Sequence, residues 1–211
     1  MIKALLLIFD PSATWERISF ARRGLVFILV VYLCPLLLLG SFAEGYGLVH
    51  SGKLRGFGEI AHKFTAGEAF IFETAQFLIS IGMVFLGALL VKSIGETFHG
   101  RHTITQAFTA VAYGLAPLFL LRFCDPLTKD PKWIPWVTWS IGILLSIAVL
   151  YHGVPRMMQP DPSHAFGLFL MSSLLLLLIT GLVRFVTVWY LQGEFTTFEA
   201  SVSDLARRLP F

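Results

Sequence analysis

Ala165-Phe-Gly-Leu-Phe-Leu-Met-Ser-Ser-Leu-Leu-Leu-Leu-Leu-Ile-Thr-Gly-Leu-Val-Arg-Phe-Val-Thr-Val-Trp-Tyr-Leu191 is the stretch that decides the fold. Its 27 residues carry one charge, Arg184. As a helix rising about 1.5 Å per residue it reaches about 40 Å, more than the roughly 30 Å hydrocarbon core of a bilayer. It is long enough to tilt or to protrude. A barrel strand would alternate apolar and polar side chains, and this run does not.

Four more such stretches lie upstream, from about Gly24 to Ala43, Ala69 to Val91, Thr105 to Leu121 and Pro135 to Val154. The five predict an all-α polytopic membrane protein with three parts. A cytoplasmic interfacial segment covers 1–23, a five-helix transmembrane domain 24–191, and an amphipathic tail 192–211. The third stretch is the shortest and holds Pro117, which removes a backbone donor and should bend the helix. The longest connection, Glu44 to Glu68, mixes Gly, Lys, Arg and His, and a short re-entrant or surface helix is expected there.

Composition agrees. Of 211 residues 56% are hydrophobic and 14% charged, with a mean hydropathy of +0.76. A soluble domain carries about 25% charged residues, so too little polar surface is available here to face water. The net charge of +3 is spread over the loops and excludes a nucleic-acid footprint. Cys34 and Cys124 lie in or beside apolar stretches, form no CxxC and suggest no disulfide framework. The apolar run from Met1 to Phe9 is short and stopped by Asp10-Pro11, unlike a secretory signal, so a mature chain beginning at Met1 is expected.

Charge counting does not settle orientation. With the N-terminus inside, seven Lys and Arg fall on the cytoplasmic side and eight on the other. Arg22 and Arg23 abut the first span, and the first helix usually dominates, which favours a cytoplasmic N-terminus and a C-terminus opposite. Trp133, Trp136 and Trp139 enter the fourth span and Trp189 and Tyr190 leave the fifth, on one face, as an aromatic belt would. Asp10-Pro11 reads as a helix N-cap and first position. The helix after it would turn Trp15 and Ile18 to lipid and its arginines to headgroups. At the other end Thr196 should cap a helix with Phe198, Val202, Leu205 and Leu209 on one face.

Polar groups inside spans are the first candidates for function, because a charge there costs about 2.5–3.5 kcal/mol without a partner or water. Glu73 and Gln76 on the second span and Arg184 on the fifth fall at matching depths. A Glu73–Arg184 pair, direct or through Gln76, is therefore expected, as interhelical glue or as a polar gate. Small residues line one face of the second span (Ala69, Ser80, Gly87, with Glu73 and Gln76) and of the third (Ala107, Ala110, Gly114, Pro117), where helices can approach closely. His99, His102, His152 and His164 fall on one side, near Met157 and Met158, and compose the one conceivable metal set, with no Cys or paired carboxylate to complete it. Ordinary exposed loop histidines are the plainer reading of the set. No GxSxG, Walker A, HExxH or GxGxxG motif is present, and no aspartate lies within a span, so neither an enzyme nor a cofactor is expected.

The pattern resembles the bacterial branch of the YIP-domain family, named for Ypt/Rab-interacting proteins. The resemblance rests on Pro11-Ser-Ala-Thr-Trp15-Glu-Arg-Ile18, on Gly95 and Gly100 followed by Gln106-Ala-Phe-Thr-Ala-Val-Ala-Tyr113-Gly-Leu-Ala-Pro117, and on Tyr151-His-Gly153-Val before Ala165. It implies a five-span bundle with a cytoplasmic N-terminus and makes Gly100, Gln106, Tyr113, Pro117 and Gly153 markers of the fold. The Rab-linked trafficking of eukaryotic members is not implied. Their long N-terminal region and Asp-Leu-Tyr-Gly-Pro type motif are missing from this sequence.

The leading expectation is a non-enzymatic accessory or membrane-organising scaffold protein of a bacterial inner membrane. Its partners would be the bilayer and a second protein or a second copy of itself. The alternatives are a small oligomeric transporter or channel built on Glu73, Gln76 and Arg184, and a metal-handling protein using the four histidines.

Overall fold

The computed structural model describes residues 2–55, 60–98, 103–127, 134–193, 195 and 202–204. Five helices are long and apolar enough to cross a membrane: Leu25–His50, Ala66–Thr97, Ile104–Cys124, Trp136–Met158 and Ala165–Leu191. They are the five expected, and the all-α polytopic class holds. The first and second spans run well past the predicted limits, since hydropathy marks the part in lipid while a helix continues until its backbone groups find other partners. Thr65 and Glu68 form such an end. The Thr65 hydroxyl accepts from Glu68 N–H at 3.3 Å and the Glu68 carboxylate accepts from Thr65 N–H at 2.9 Å. Thr103 and Gln106 repeat the box at the third span, at 3.3 and 2.9 Å.

Two spans are irregular, each around a proline. Residues Ile28–Leu33 form a π-helical turn in which Cys34 N–H reaches back to Leu29 O. Pro35 follows at once; it has no N–H, and its ring would crowd the carbonyl four residues earlier, which the wider turn relieves. The third span breaks at Leu115 (ψ 3°) into Ile104–Gly114 and Ala116–Leu121, with Pro117 in the first turn of the second half. A 3-10 helix, Arg122–Leu127, continues it.

Among the described residues of the connection after the first span there is no helix. Gly52, at φ 71°, ends that span, its N–H returning to Gly47 O at 3.2 Å. A short antiparallel hairpin follows, β1 (Lys53–Arg55) pairing with β2 (Ile60–His62).

The third span is central. Its hydropathy, 1.6, is the lowest of the five, yet 67% of it is buried against 33–39% of the others. It packs against the first, second and fourth spans, while the fifth closes the bundle across the second and fourth. A helix that faces protein on every side has no need of lipid-matching side chains. It needs small ones, and Ala107, Ala110, Ala112, Gly114 and Ala116 are all buried. The facing stripe of the second span, Ala69, Glu73, Gln76, Ser80 and Gly87, is buried as well. A Cβ on Gly87 would lie 2.8 Å from Leu176 Cδ2. Both stripes thus hold the chain's own helices together.

The N-terminal segment departs from expectation. Helices α1 (Ile2–Phe9) and α2 (Pro11–Ala21) pack on each other, on the fourth span and on the second half of the third. Asp10 caps α2 by accepting from Ala13 N–H at 3.3 Å. Trp15 and Ile18 turn inward to the bundle, not outward to lipid, with Trp15 at 0% exposure. The Trp15 indole N–H donates to Val149 O at 2.9 Å, and the ring occupies the space that a side chain at Gly153 would need. An unpaired N–H in that place would cost about 1–3 kcal/mol. Of the expected C-terminal helix only Val202–Asp204 is described, with Val202 buried; Thr196, Phe198, Leu205 and Leu209 lie outside the described residues.

Candidate functional site

The deepest charged cluster lies where the first, second and third spans end together. Arg122 Nε donates to Glu44 Oε2 at 2.7 Å and Arg122 Nη2 donates to Glu73 Oε2 at 3.0 Å. Glu44 and Glu73 are both buried. The expected pairing of Glu73 with Arg184 is therefore corrected: the cation at Glu73 is Arg122. The apolar stretches of the sequence stop at Ala43 and at Leu121, which leaves Glu44 and Arg122 just outside the expected spans. The helix instead runs on to His50 and carries Glu44 inside, and the end of the third span lies directly across from it. The available signal was the absence of any helix breaker before Gly52, apart from glycines that a transmembrane helix tolerates.

Gln76 does reach the fifth span, but through Thr187. Its Nε2 donates to Thr187 Oγ1 at 2.7 Å, and that hydroxyl donates to Val183 O at 2.8 Å. Arg184, one turn away, lines a small cavity with Gln76, Arg122, Thr187 and Trp139. Its volume is about 70 Å³, room for ordered water. Glu73 is not part of its lining.

Glu73 instead lines the wall of a groove between the first and second spans, with a volume of about 560 Å³. Phe42, Tyr46, Phe70 and Phe77 are among its apolar lining, and Ser41, His50 and Thr74 among its polar lining. Glu73 Oε1 and Ser41 Oγ are buried side-chain atoms without a hydrogen-bond partner among the described residues. Ser41 lies close enough to Glu73 to influence its charge, without a well-aligned bond between them.

The histidine set does not gather. His152 Nδ1 is engaged with Ala148 O and His164 Nδ1 with Ser163 Oγ, both at 3.2 Å. His99 and His102 lie outside the described residues. Among the described residues no three His, Cys, Asp or Glu form a group able to hold a metal. The fold-marker residues all serve packing or capping where they are described. Gln106 completes a capping box, Tyr113 stacks on Tyr32 with centroids 4.0 Å apart, Pro117 opens the second half of the third span and Gly153 seats Trp15. Gly100 lies outside the described residues.

Comparison with known proteins gives one match. The family model for the Yip1 domain matches residues 5–184, which takes in the later part of α1, α2, all of the first four spans and most of the fifth. No curated protein and no solved structure matches the chain.

Proposed function

The chain belongs to the Yip1 domain family, and we propose that it acts in the membrane without catalysis, as an accessory or scaffold protein that associates with a span of a partner. The small-residue stripes and the N-terminal amphipathic helix do not supply the docking face, since the chain uses both internally. The observation that supports association is the groove between the first and second spans, where Glu73 Oε1 and Ser41 Oγ are buried and unpartnered beside open apolar surface. Each unpaired polar atom in such surroundings costs about 1–3 kcal/mol. A partner span seated there would bury the aromatic wall of Phe42, Tyr46, Phe70 and Phe77.

The reading keeps the N-terminus cytoplasmic in a bacterial inner membrane, because Arg22 and Arg23 abut the first span. A transport reading draws no support from a cavity of about 70 Å³.

A photo-cross-linking residue tests the proposal. Placed at exposed Thr74 in the groove it should give one defined adduct in native membranes, and placed at exposed Leu174 on the fifth span it should give none. Thr74→Trp, which fills the groove from its rim, should abolish co-purification of that adduct's protein and leave the thermal stability of the chain unchanged. Equal labelling from both positions, or a strictly monomeric particle in mild detergent that Thr74→Trp does not alter, would sink the idea.

A further inference from the structure

A second cavity lies at the other end of the bundle, between α1, α2, the start of the first span, the first half of the third and the end of the fourth. Its volume is about 580 Å³. Lys3, Arg22, Arg23 and Arg156 line it, and no Asp or Glu is among the described lining residues. Nothing in the proposed association uses these residues.

The cations are held in place. Arg156 Nη1 donates to Ser12 O at 2.6 Å, tying the fourth span to α2. Arg23 lies over the Phe27 ring, 4.2 Å from its centroid. Arg22 ends α2 at φ 38° and ψ 45°, a left-handed conformation that a glycine would adopt without strain, although the neighbouring Gly24 is not the residue used. Burial first, and the charge of Arg23 second, push the Lys3 ammonium below the ordinary lysine range. Like charges are thus gathered around one space with no carboxylate to balance them. Tyr113 lines the same space, is 3% exposed, and its hydroxyl has no hydrogen-bond partner among the described residues. Gln106 uses its carboxamide oxygen in the capping box, which leaves its NH2 as a further donor.

We propose that this cavity binds an anionic phosphate group, held by Lys3, Arg22, Arg23 and Arg156 at its rim and by the Tyr113 hydroxyl at its floor. Arg and Lys donors match phosphate oxygens in charge and geometry. The location fits a group presented at the membrane surface. Arg23 precedes the first span by two residues, and Tyr113 is nine residues into the third, about 14 Å along its axis. The cavity therefore runs from headgroup level inward. Phe20, which lines it, is exposed, as are Val26 and Phe27 at the start of the first span. A lipid headgroup and a soluble phosphate share this chemistry, and the experiment separates them.

The full chain is purified in detergent, exchanged into phosphatidylcholine, and offered phosphatidylglycerol in one arm and inorganic phosphate in the other. Native mass spectrometry reads retained lipid, and a thermal shift reads phosphate. In the lipid case, wild type retains one phosphatidylglycerol against phosphatidylcholine competition. The Arg22→Gln, Arg23→Gln double variant then loses about thirtyfold in affinity, from about 1 kcal/mol for each cation. Arg22→Lys, Arg23→Lys should keep most of the binding, and Arg17→Gln, an exposed α2 residue outside the cavity, should keep all of it. A phosphate-dependent shift lost in the double Gln variant, with no lipid retained, assigns the site to a soluble phosphate. Neither response in wild type, or responses equal in wild type and the double Gln variant, overturns the proposal.

Discussion

Replacing Arg122 by Met should be among the most damaging single changes in this chain, and removing its two partners as well should repair most of the damage. Among the described residues Arg122 makes two charge-assisted bonds, of 2.7 Å to Glu44 and 3.0 Å to Glu73. Glu44 is 2% exposed and Glu73 8%, so water cannot replace the guanidinium. Bonds of this type are worth about 1.5–3 kcal/mol each, and breaking a buried pair from one side costs about 3–5 kcal/mol because the remaining charge has no counterpart. Arg122→Met strands two carboxylates at once, which places the expected loss at about 3–5 kcal/mol. The triple variant Glu44→Gln, Glu73→Gln, Arg122→Met removes the three charges described in the group, and such replacements are often close to neutral. Unfolding in mixed micelles, followed by circular dichroism with increasing denaturing detergent, gives both free energies in one series. A loss under about 1 kcal/mol for Arg122→Met would refute the reasoning, and so would a triple variant as unstable as the single one.

Three further changes test the remaining packing and electrostatics. Gly153→Val should dislodge Trp15, which occupies the space a side chain there would need, costing about 1–3 kcal/mol; faster proteolysis within α2 would report it, and unchanged protection would count against the docked position of α2. A double-mutant cycle of Gln76→Leu with Thr187→Val should give a coupling of about 0.6 kcal/mol, typical of one interhelical hydrogen bond in a membrane, and a value indistinguishable from zero would argue against that bond. Lys3 binds its proton more weakly folded than unfolded, where its usual value is 10.5. Its charge therefore opposes folding while protonated, stability should rise with pH on the alkaline side up to that value, and Lys3→Gln should flatten the rise; a rise of the same size in that variant would assign it elsewhere.

The five spans were legible because lipid imposes its requirement locally: each helix must carry its own run of apolar side chains, so position along the chain reports position in the membrane. Helix ends were less legible because they depend on capping partners. The Thr65–Glu68 and Thr103–Gln106 boxes place two starts that hydropathy alone put within three residues. Polar pairing was legible only as a need. The cost of Glu73 in a span says that something must meet it, and matching depth selected Arg184 from the charges assigned to spans. Arg122 falls outside that set because the expected third span stops at Leu121, three residues short of its end at Cys124. Outward and inward faces of α2 were confused for a related reason. Trp15 is amphipathic and equally at home at a headgroup or in a bundle, and only the absence of a side chain on Gly153, distant in sequence, makes the bundle position available.

The third span explains why the family-like residues cluster where they do. Because it touches protein on nearly every side, any enlargement meets a neighbour: a Cβ on Gly114 would collide with Leu150, while Tyr113 is clasped between Tyr32 and Trp15. Its two ends are the exceptions to this packing. One ends in Arg122, whose bonds join the first and second spans; the other leads from Gln106 to Tyr113 along the basic cavity. The break at Leu115 lies between them and lets the two halves follow separate axes. A central helix that is packed along its middle and polar at both ends directs its own polar groups toward the two ends of the bundle. Variants at Tyr113 should accordingly alter phosphate binding without touching the Arg122 cluster. Tyr113→Phe keeps the ring that stacks on Tyr32 and removes only the hydroxyl, so it should weaken phosphate binding and leave the Arg122→Met deficit unchanged. A change in that deficit would show that the two ends are coupled through the break.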